Sequence, residues 1–292
     1  MLARWLIALA FVAIGCGNLT AADAKAKRLL LVTDSGGFVH DSVGLAEQTL
    51  KEIGPKNGFE VTCFRYTRDP KDPAFVKYAE NFRKVTGVAV EPESCGRVNK
   101  ETLKNFDVVL FFTTGNPLTK EELADLQDWV KAGGAFAGTH CATDTLYNTT
   151  YGALVGGYFD NHPWHQKIKL KVEDPKHAAA AGFKDGDEIT DEIYQFRDAP
   201  YSREKLHIIL SVDNTSIPPS VKNNKGEELV KRTDKDFAIA WGQEYGKGRS
   251  FYTSLGHRKE VWKDERFQKH LIGGLKWAVK RAEGSSAPSA KP

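Results

Sequence analysis

His40, His140 and His257 each follow a short apolar run, Arg28–Thr33, Gly134–Ala137 and Arg249–Leu255 respectively. Imidazole titrates near neutral pH, so a histidine in such a place is suited to accept a proton, shuttle one or ligate a metal. In an open α/β sheet the carboxyl ends of the strands form the crevice where ligands bind. Histidines delivered to that edge from separate strands predict one site. Their side chains should touch one small ligand, in a cleft of roughly a few hundred cubic ångströms.

Gly138-Thr139-His140-Cys141-Ala142 has the small neighbours of a nucleophile elbow, a tight strand-to-helix turn that projects its central side chain into the cleft. That central residue is His140, a general base or metal ligand in one reading and a hydrogen-bonded structural histidine in the other. Cys141 comes one residue late and is expected to point elsewhere. Asp144 could orient an imidazole, bind a sugar hydroxyl or cap a helix. In His162-Pro163-Trp164-His165 the proline prevents a regular helix, so the spacing does not force both rings onto one face. His162 is carried forward as a substrate-binding or ligand candidate. Trp164 is either a sugar platform or an ordinary packed tryptophan. Adjacent strand residues point to opposite faces, so Glu192 and Tyr194 are favoured as a pair over Asp191. Arg249 is a candidate for orienting hydroxyls or carbonyls, and Glu260 for supporting His257. His177, His207 and His270 read as structural or surface residues, with His207 and His270 expected outside the site.

Neutral imidazoles are good zinc ligands, and a catalytic zinc takes about three protein ligands and keeps one position open. His40, His140, His162 and His257 could supply them, with Asp144 as an oxygen ligand. No HExxH or CxxC appears, so the cofactor is left unknown, with a divalent metal such as zinc as the candidate.

The elements that must position these residues alternate. Arg28–Thr33, Phe59–Tyr66, Asp107–Phe112 and Ala135–Gly138 read as buried strands. Asp41 or Ser42 can cap a first helix with Val43, Ala46, Leu50 and Ile53 on one face. Thr119 and Glu122 form a capping box before Leu123, Leu126, Trp129 and Val130. This is a β-α-β plan with a mostly parallel sheet covered on both faces. In the second half Lys167–Val172, Glu188–Phe196, Leu206–Val212, Phe237–Gln243 and Arg249–Ser254 lack long helices between them, which predicts antiparallel additions. A final helix is expected from about Asp264 to Arg281.

The chain has 292 residues and a net charge of +3, with charges of both signs mixed throughout. No basic stripe interleaved with aromatics appears, which argues against nucleic acid as a partner. At the N-terminus, Arg4 precedes an uncharged run from Trp5 to Cys16, too short for a transmembrane helix. Ala22-Asp23-Ala24 is a cleavage site in one reading, releasing a chain from Lys25. In the other, Val12–Cys16 is a lipoprotein box and Cys16 carries a lipid anchor. Either places the folded part outside the cytoplasm, periplasmic or secreted. The expected organisation is a signal over 1–24, one domain over 25–283 and a disordered tail over 284–292. Export permits a Cys63–Cys95 disulfide, with two unpaired thiols as the alternative.

Taken in order, Gly133–His140 with Ala142–Thr145, Leu154–Phe159 with His162-Pro163, Thr190–Tyr194 and Gly248–His257 resemble the ThuA-like, or trehalose-utilisation, family. The likeness runs from about Leu29 to Ala278. It implies a flavodoxin-like α/β sandwich similar to class I glutamine amidotransferases, and a carbohydrate as substrate, either a disaccharide or an oxidised sugar derivative. In that wider group a Cys nucleophile sits at the elbow and a His-x-Glu follows a late strand. Here His140 replaces the Cys, and Glu260 lies three residues beyond His257, so the resemblance does not imply glutaminase chemistry. The expectation is an exported protein acting on a small-molecule sugar as a histidine-based hydrolase, lyase or isomerase. His140, His257 and Asp144 would be catalytic, with His40, His162, Glu192, Tyr194 and Arg249 on the substrate. A non-catalytic sugar-binding module, and a thiol amidohydrolase using Cys141, are the alternatives.

Overall fold

In this computed structural model residues 25–290 are described. Both cleavage readings and the Cys16 anchor lie outside the described residues. Along the chain come β1 (Lys27–Val32), α1 (Val43–Lys56), β2 (Phe59–Phe64), α2 (Phe75–Thr86), α3 (Lys100–Leu103) and β3 (Val108–Phe111). They are followed by α4 (Lys120–Lys131), β4 (Ala135–Thr139), α5 (Tyr151–Val155), β5 (Phe159–Val172) and β6 (Glu188–Phe196). Last come β7 (His207–Val212), β8 (Ala238–Tyr245), β9 (Gly248–Thr253), α6 (Lys259–Lys263) and α7 (Glu265–Ala278).

The strands form one sheet in the order β2-β1-β3-β4-β9-β8-β7-β5-β6. Pairings from β2 through to β9 are parallel. Those from β9 outward to β6 are antiparallel. The parallel half has the flavodoxin-like order, with β9 taking the fifth place. Alternation along each central strand sends side chains to two cores. Leu29 and Leu31 pack with Val43, Leu50 and Leu271 of α1 and α7. Leu30 and Val32 pack with Leu123, Leu126 and Tyr151 of α4 and α5. The Thr119–Glu122 capping box forms as the sequence predicts.

Of the two readings for Cys63 and Cys95, unpaired thiols are the one present. A parallel bridge sets Cys95 opposite Tyr66, beyond Cys63, and burial pushes the Cys63 thiol up to about 12. The tail is docked through Ser289. The Ser289 amide donates to the Leu206 carbonyl at 3.0 Å and the Ile208 amide donates to Ser289 Oγ at 2.8 Å. β5 pairs with β7 only over Leu210–Val212, so the first residues of β7 have amides left for the tail to satisfy. β5 begins earlier than predicted, at Phe159.

Candidate active site: imidazoles gathered on one carboxylate

β4 ends at Thr139 and the chain turns at once into a single 3₁₀ turn, His140–Thr143. His140 has φ +45°, a left-handed value that a side chain with a Cβ adopts at a cost, as at a nucleophile elbow. Small neighbours are required: a Cβ on Gly138 would lie 2.9 Å from that of Ala142. The Tyr252 hydroxyl donates to the His140 carbonyl at 2.6 Å, fixing the turn. His140 Nδ1 lies 3.0 Å from the Ser254 carbonyl. A carbonyl only accepts, so Nδ1 carries a proton and Nε2 is the nitrogen turned to the cluster.

Around that Nε2 stand the Tyr194 hydroxyl at 3.0 Å, His40 Nε2 at 3.2 Å and Glu192 Oε2 at 3.3 Å. The His257 ring centre is 5.2 Å from that of His140 and 5.4 Å from that of His40. The expected convergence of His40, His140 and His257 is therefore present. What holds His257 is the residue passed over in the sequence, Asp191. Its buried carboxylate accepts from the Gly256 amide at 2.7 Å and the Arg258 amide at 2.9 Å. Gly256 has φ +122°, a conformation that glycine alone adopts without strain. Ser42 does not cap α1 with its side chain. Its hydroxyl donates instead to the Gly256 carbonyl at 3.2 Å, and Trp262 Nε1 donates to the same oxygen at 2.8 Å.

The β5–β6 hairpin brings the remaining ligands. In a regular strand residues three apart face opposite sides. The register shifts between Asn161 and Trp164, and the irregularity turns both His162 and His165 toward Glu192. His165 Nε2 lies 2.6 Å from Glu192 Oε1, while His162 Nδ1 lies 3.4 Å from that oxygen and 3.1 Å from His165 Nε2. His165, weighed beside His162 but not carried forward, joins it because of this irregularity and its pairing opposite Glu192. Trp164 is the packed tryptophan of the two readings, buried with its ring centre 4.8 Å from that of Phe237.

Burial, then repulsion from His140 and His257, lowers His40 to about 2. Burial, then His140, lowers His257 to about 4. Burial resists the charge on Glu192, but the His140 hydrogen bond and the surrounding imidazoles outweigh it and hold the carboxyl at about 2. At neutral pH the centre thus offers lone pairs on His40 and His257 beside a carboxylate. Burial pushes Asp191 up to about 6 against the pull of His140 and its two amides. His140 is fully buried at the floor. The side chains of His162, His165 and His257 are 47 %, 44 % and 28 % exposed, so the cluster opens to solvent on their side. Phe38, 67 % exposed, stands at the rim with its ring centre 4.9 Å from that of His40. It too was missed, because a lone aromatic in a loop carries no periodic signal.

Other assignments are corrected. Arg249 is not in the site. It sits at the amino end of β9, opposite Ala135 at the start of β4, and therefore on the far edge of the sheet from His257. Its guanidinium pairs with Glu244 at 3.0 Å and covers the Trp277 ring at 4.9 Å. Glu260 lies on α6, exposed, and Glu192 is the carboxylate near His257, at 3.8 Å. Asp144 is half-buried and hydrogen-bonded to Tyr147, and burial raises its pKa; it flanks the cluster rather than joining it. Cys141 is fully buried in the core, where burial pushes its thiol well up, so it is not presented as a nucleophile. His207 pairs with Asp174 at 2.9 Å and His270 bonds the Ala179 carbonyl, both away from the cluster. At the cluster itself the rings pack against one another. Five surface grooves of about 220–670 Å³ are all lined by other residues. Among the described residues, two sets of donors could hold a metal: His40, His140, His257 and Glu192, and His162, His165 and Glu192, each with ligand atoms within 4.8 Å of one another.

A parallel core in flavodoxin-like order, with a strained elbow after β4 and polar side chains on its carboxyl edge, defines an α/β protein of the doubly wound, flavodoxin-like type. Histidine stands at the nucleophile position. Within that class the chain belongs to the ThuA family, described as trehalose utilisation, whose model matches residues 28–278. A ThuA-like protein of Bacteroides uniformis ATCC 8492 is similar in structure, with a TM-score of 0.65 at 20% identity, covering 92% of this chain and 98% of that one. One from Parabacteroides merdae ATCC 43184 has a TM-score of 0.59 at 16% identity, covering 89% and 93%. No curated protein matches the chain.

Proposed function

We propose that this protein is an exported enzyme acting on a carbohydrate, a disaccharide or an oxidised sugar derivative, by proton transfer at the histidine cluster. One observation carries the reading: imidazoles gathered on the Glu192 carboxylate open to solvent through His162, His165 and His257, beside the exposed ring of Phe38. A sugar needs both parts. Its C–H face packs on an aromatic ring, and its hydroxyls need nearby acceptors. His257, kept neutral by burial, is a base of the kind that takes a proton from a sugar hydroxyl or an activated carbon. His140, at the buried floor, is a positioning residue. The family description as trehalose utilisation supports the substrate class. Export rests on the Trp5–Cys16 run and on Ala22-Asp23-Ala24.

The test is turnover of disaccharides and their keto derivatives, followed by NMR, with two variants. His257→Ala should lower kcat by about 100-fold or more. Phe38→Ala should raise KM about 3- to 10-fold while kcat holds, as expected for a lost stacking contact. Binding without turnover by the wild type would make the protein a sugar-binding module and overturn the enzyme reading. Wild-type constants in both variants would overturn the site.

A further inference from the structure

We propose that the cluster holds two divalent transition-metal cations at once, bridged by the carboxylate of Glu192. The inference rests on the site of the proposed sugar chemistry and, with metal bound, makes His257 a ligand in place of the base; metal is counted without substrate, so the two tests fail separately.

The two oxygens of Glu192 face different partners. Oε2 lies 3.3 Å from His140 Nε2, on the buried side. Oε1 lies 2.6 Å from His165 Nε2 and 3.4 Å from His162 Nδ1, on the open side. A carboxylate so placed offers one oxygen to each of two ions, which in two-metal sites stand about 3.5–4 Å apart. Two donor sets share this carboxylate: His40, His140 and His257 with Glu192 make an inner set, and His162 and His165 with Glu192 make an outer set, with His257 Nε2, 3.8 Å from Oε1, lying between them.

The inner geometry suits a metal better than it suits bare imidazoles. The Ser254 carbonyl holds His140 through Nδ1, so Nε2 is the ring nitrogen that faces His40 Nε2, at 3.2 Å. Two nitrogens each about 2.0–2.1 Å from one zinc at tetrahedral angles are separated by about 3.3 Å. That Nδ1 contact is also the outer hydrogen bond expected of a ligating histidine. The count of rings argues the same way. One carboxylate needs one positive partner, and a single protonated imidazole would satisfy it. Yet His140, His162, His165 and His257 all lie within 3.8 Å of Glu192, with His40 against His140.

Nitrogen-rich donors favour zinc and its transition-metal neighbours over magnesium or calcium, which take oxygen. The inner set has four protein donors, the number that closes a structural zinc site. The outer set, two histidines and a glutamate, leaves a coordination position toward solvent, as catalytic zinc sites do. The inner ion should therefore bind more tightly, and the outer ion should exchange and face the substrate.

The experiment strips the purified protein with a chelator, titrates it with Zn²⁺ against a chromophoric competitor and counts bound metal by mass spectrometry. The wild type should bind two equivalents. The double variant His162→Ala/His165→Ala changes exposed residues only, and should keep one tight equivalent with unchanged circular dichroism. Glu192→Gln should weaken both sites by at least about 10-fold, since an amide cannot bridge two ions as a carboxylate does. One equivalent or none in the wild type, or two in the double variant, would overturn the proposal. Unchanged affinities in folded Glu192→Gln would overturn the bridge.

Discussion

His270 and His177 lie away from the cluster yet resemble His40 in one respect: burial holds each below the ordinary imidazole range, at about 4. A proton then binds the unfolded chain more readily than the folded one. The stability from these residues is fully present above the unfolded value of 6.5, and is lost as pH falls toward 4. A shift of that size corresponds to roughly 3 kcal/mol for one histidine when fully expressed. His270→Leu should flatten the fall in urea midpoint across that window, and an unchanged slope would show that burial of this ring is not its cause. The same scale shows which site residues a sequence can yield. His40, His140 and His257 were legible because each comes after an apolar strand, His140 at once, His257 four residues beyond and His40 eight residues beyond. Arg249 was misplaced although strand polarity was available: it begins its strand, so it belongs to the opposite edge. The roles of His165 and Asp191 were hidden, the first behind a local register shift and the second behind hydrogen bonds to a loop distant in sequence.

At the scale of elements, α5 must end abruptly so that β5 can begin. Gly156 ends it with φ +93°, and a Cβ there would lie 2.4 Å from Trp241 Nε1, which donates to the Val155 carbonyl at 2.8 Å. Gly156→Ala combines left-handed strain with overpacking, and should lower stability by about 2–4 kcal/mol in chemical denaturation. A loss under about 0.5 kcal/mol, within the range of ordinary surface substitutions, would contradict this reading. The parallel strands were readable as short apolar runs, since both of their faces are buried. The start of β5 was not. Its Asp160-Asn161-His162-Pro163 stretch is polar, and the irregular pairing there removes the alternation that marks a strand.

For the whole molecule, the docked tail makes a measurable claim. Removing residues 285–292 takes away the Ser289 bonds to Leu206 and Ile208 and the contact between His207 and the Ala287 carbonyl. A loss of about 1–2 kcal/mol is expected, or a fall in Tm of roughly 2–8 °C for a domain of this size. An unchanged calorimetric Tm would mean that the tail rests on the surface without contributing. The sequence suggested disorder because small and polar residues dominate there. Composition could not show that the neighbouring strand had amides left to satisfy.

The seat of β9 between β4 and β8 governs how the chain can fold as it is made. Ala135 of β4 pairs with Arg249, more than a hundred residues later. At roughly 5–20 residues per second, a ribosome needs on the order of 10 s to supply that partner. During that interval β1, β3 and β4 can associate, but β4 remains an open edge, hydrophobic on both faces and ready to pair with any other strand. The histidines wait equally long, because His140 is synthesised early while Ser254 and His257 arrive with the final strand. A nascent chain halted before β9 would have most of its core but neither Ser254 nor His257 at the cluster, and holding that exposed edge apart is work for a chaperone.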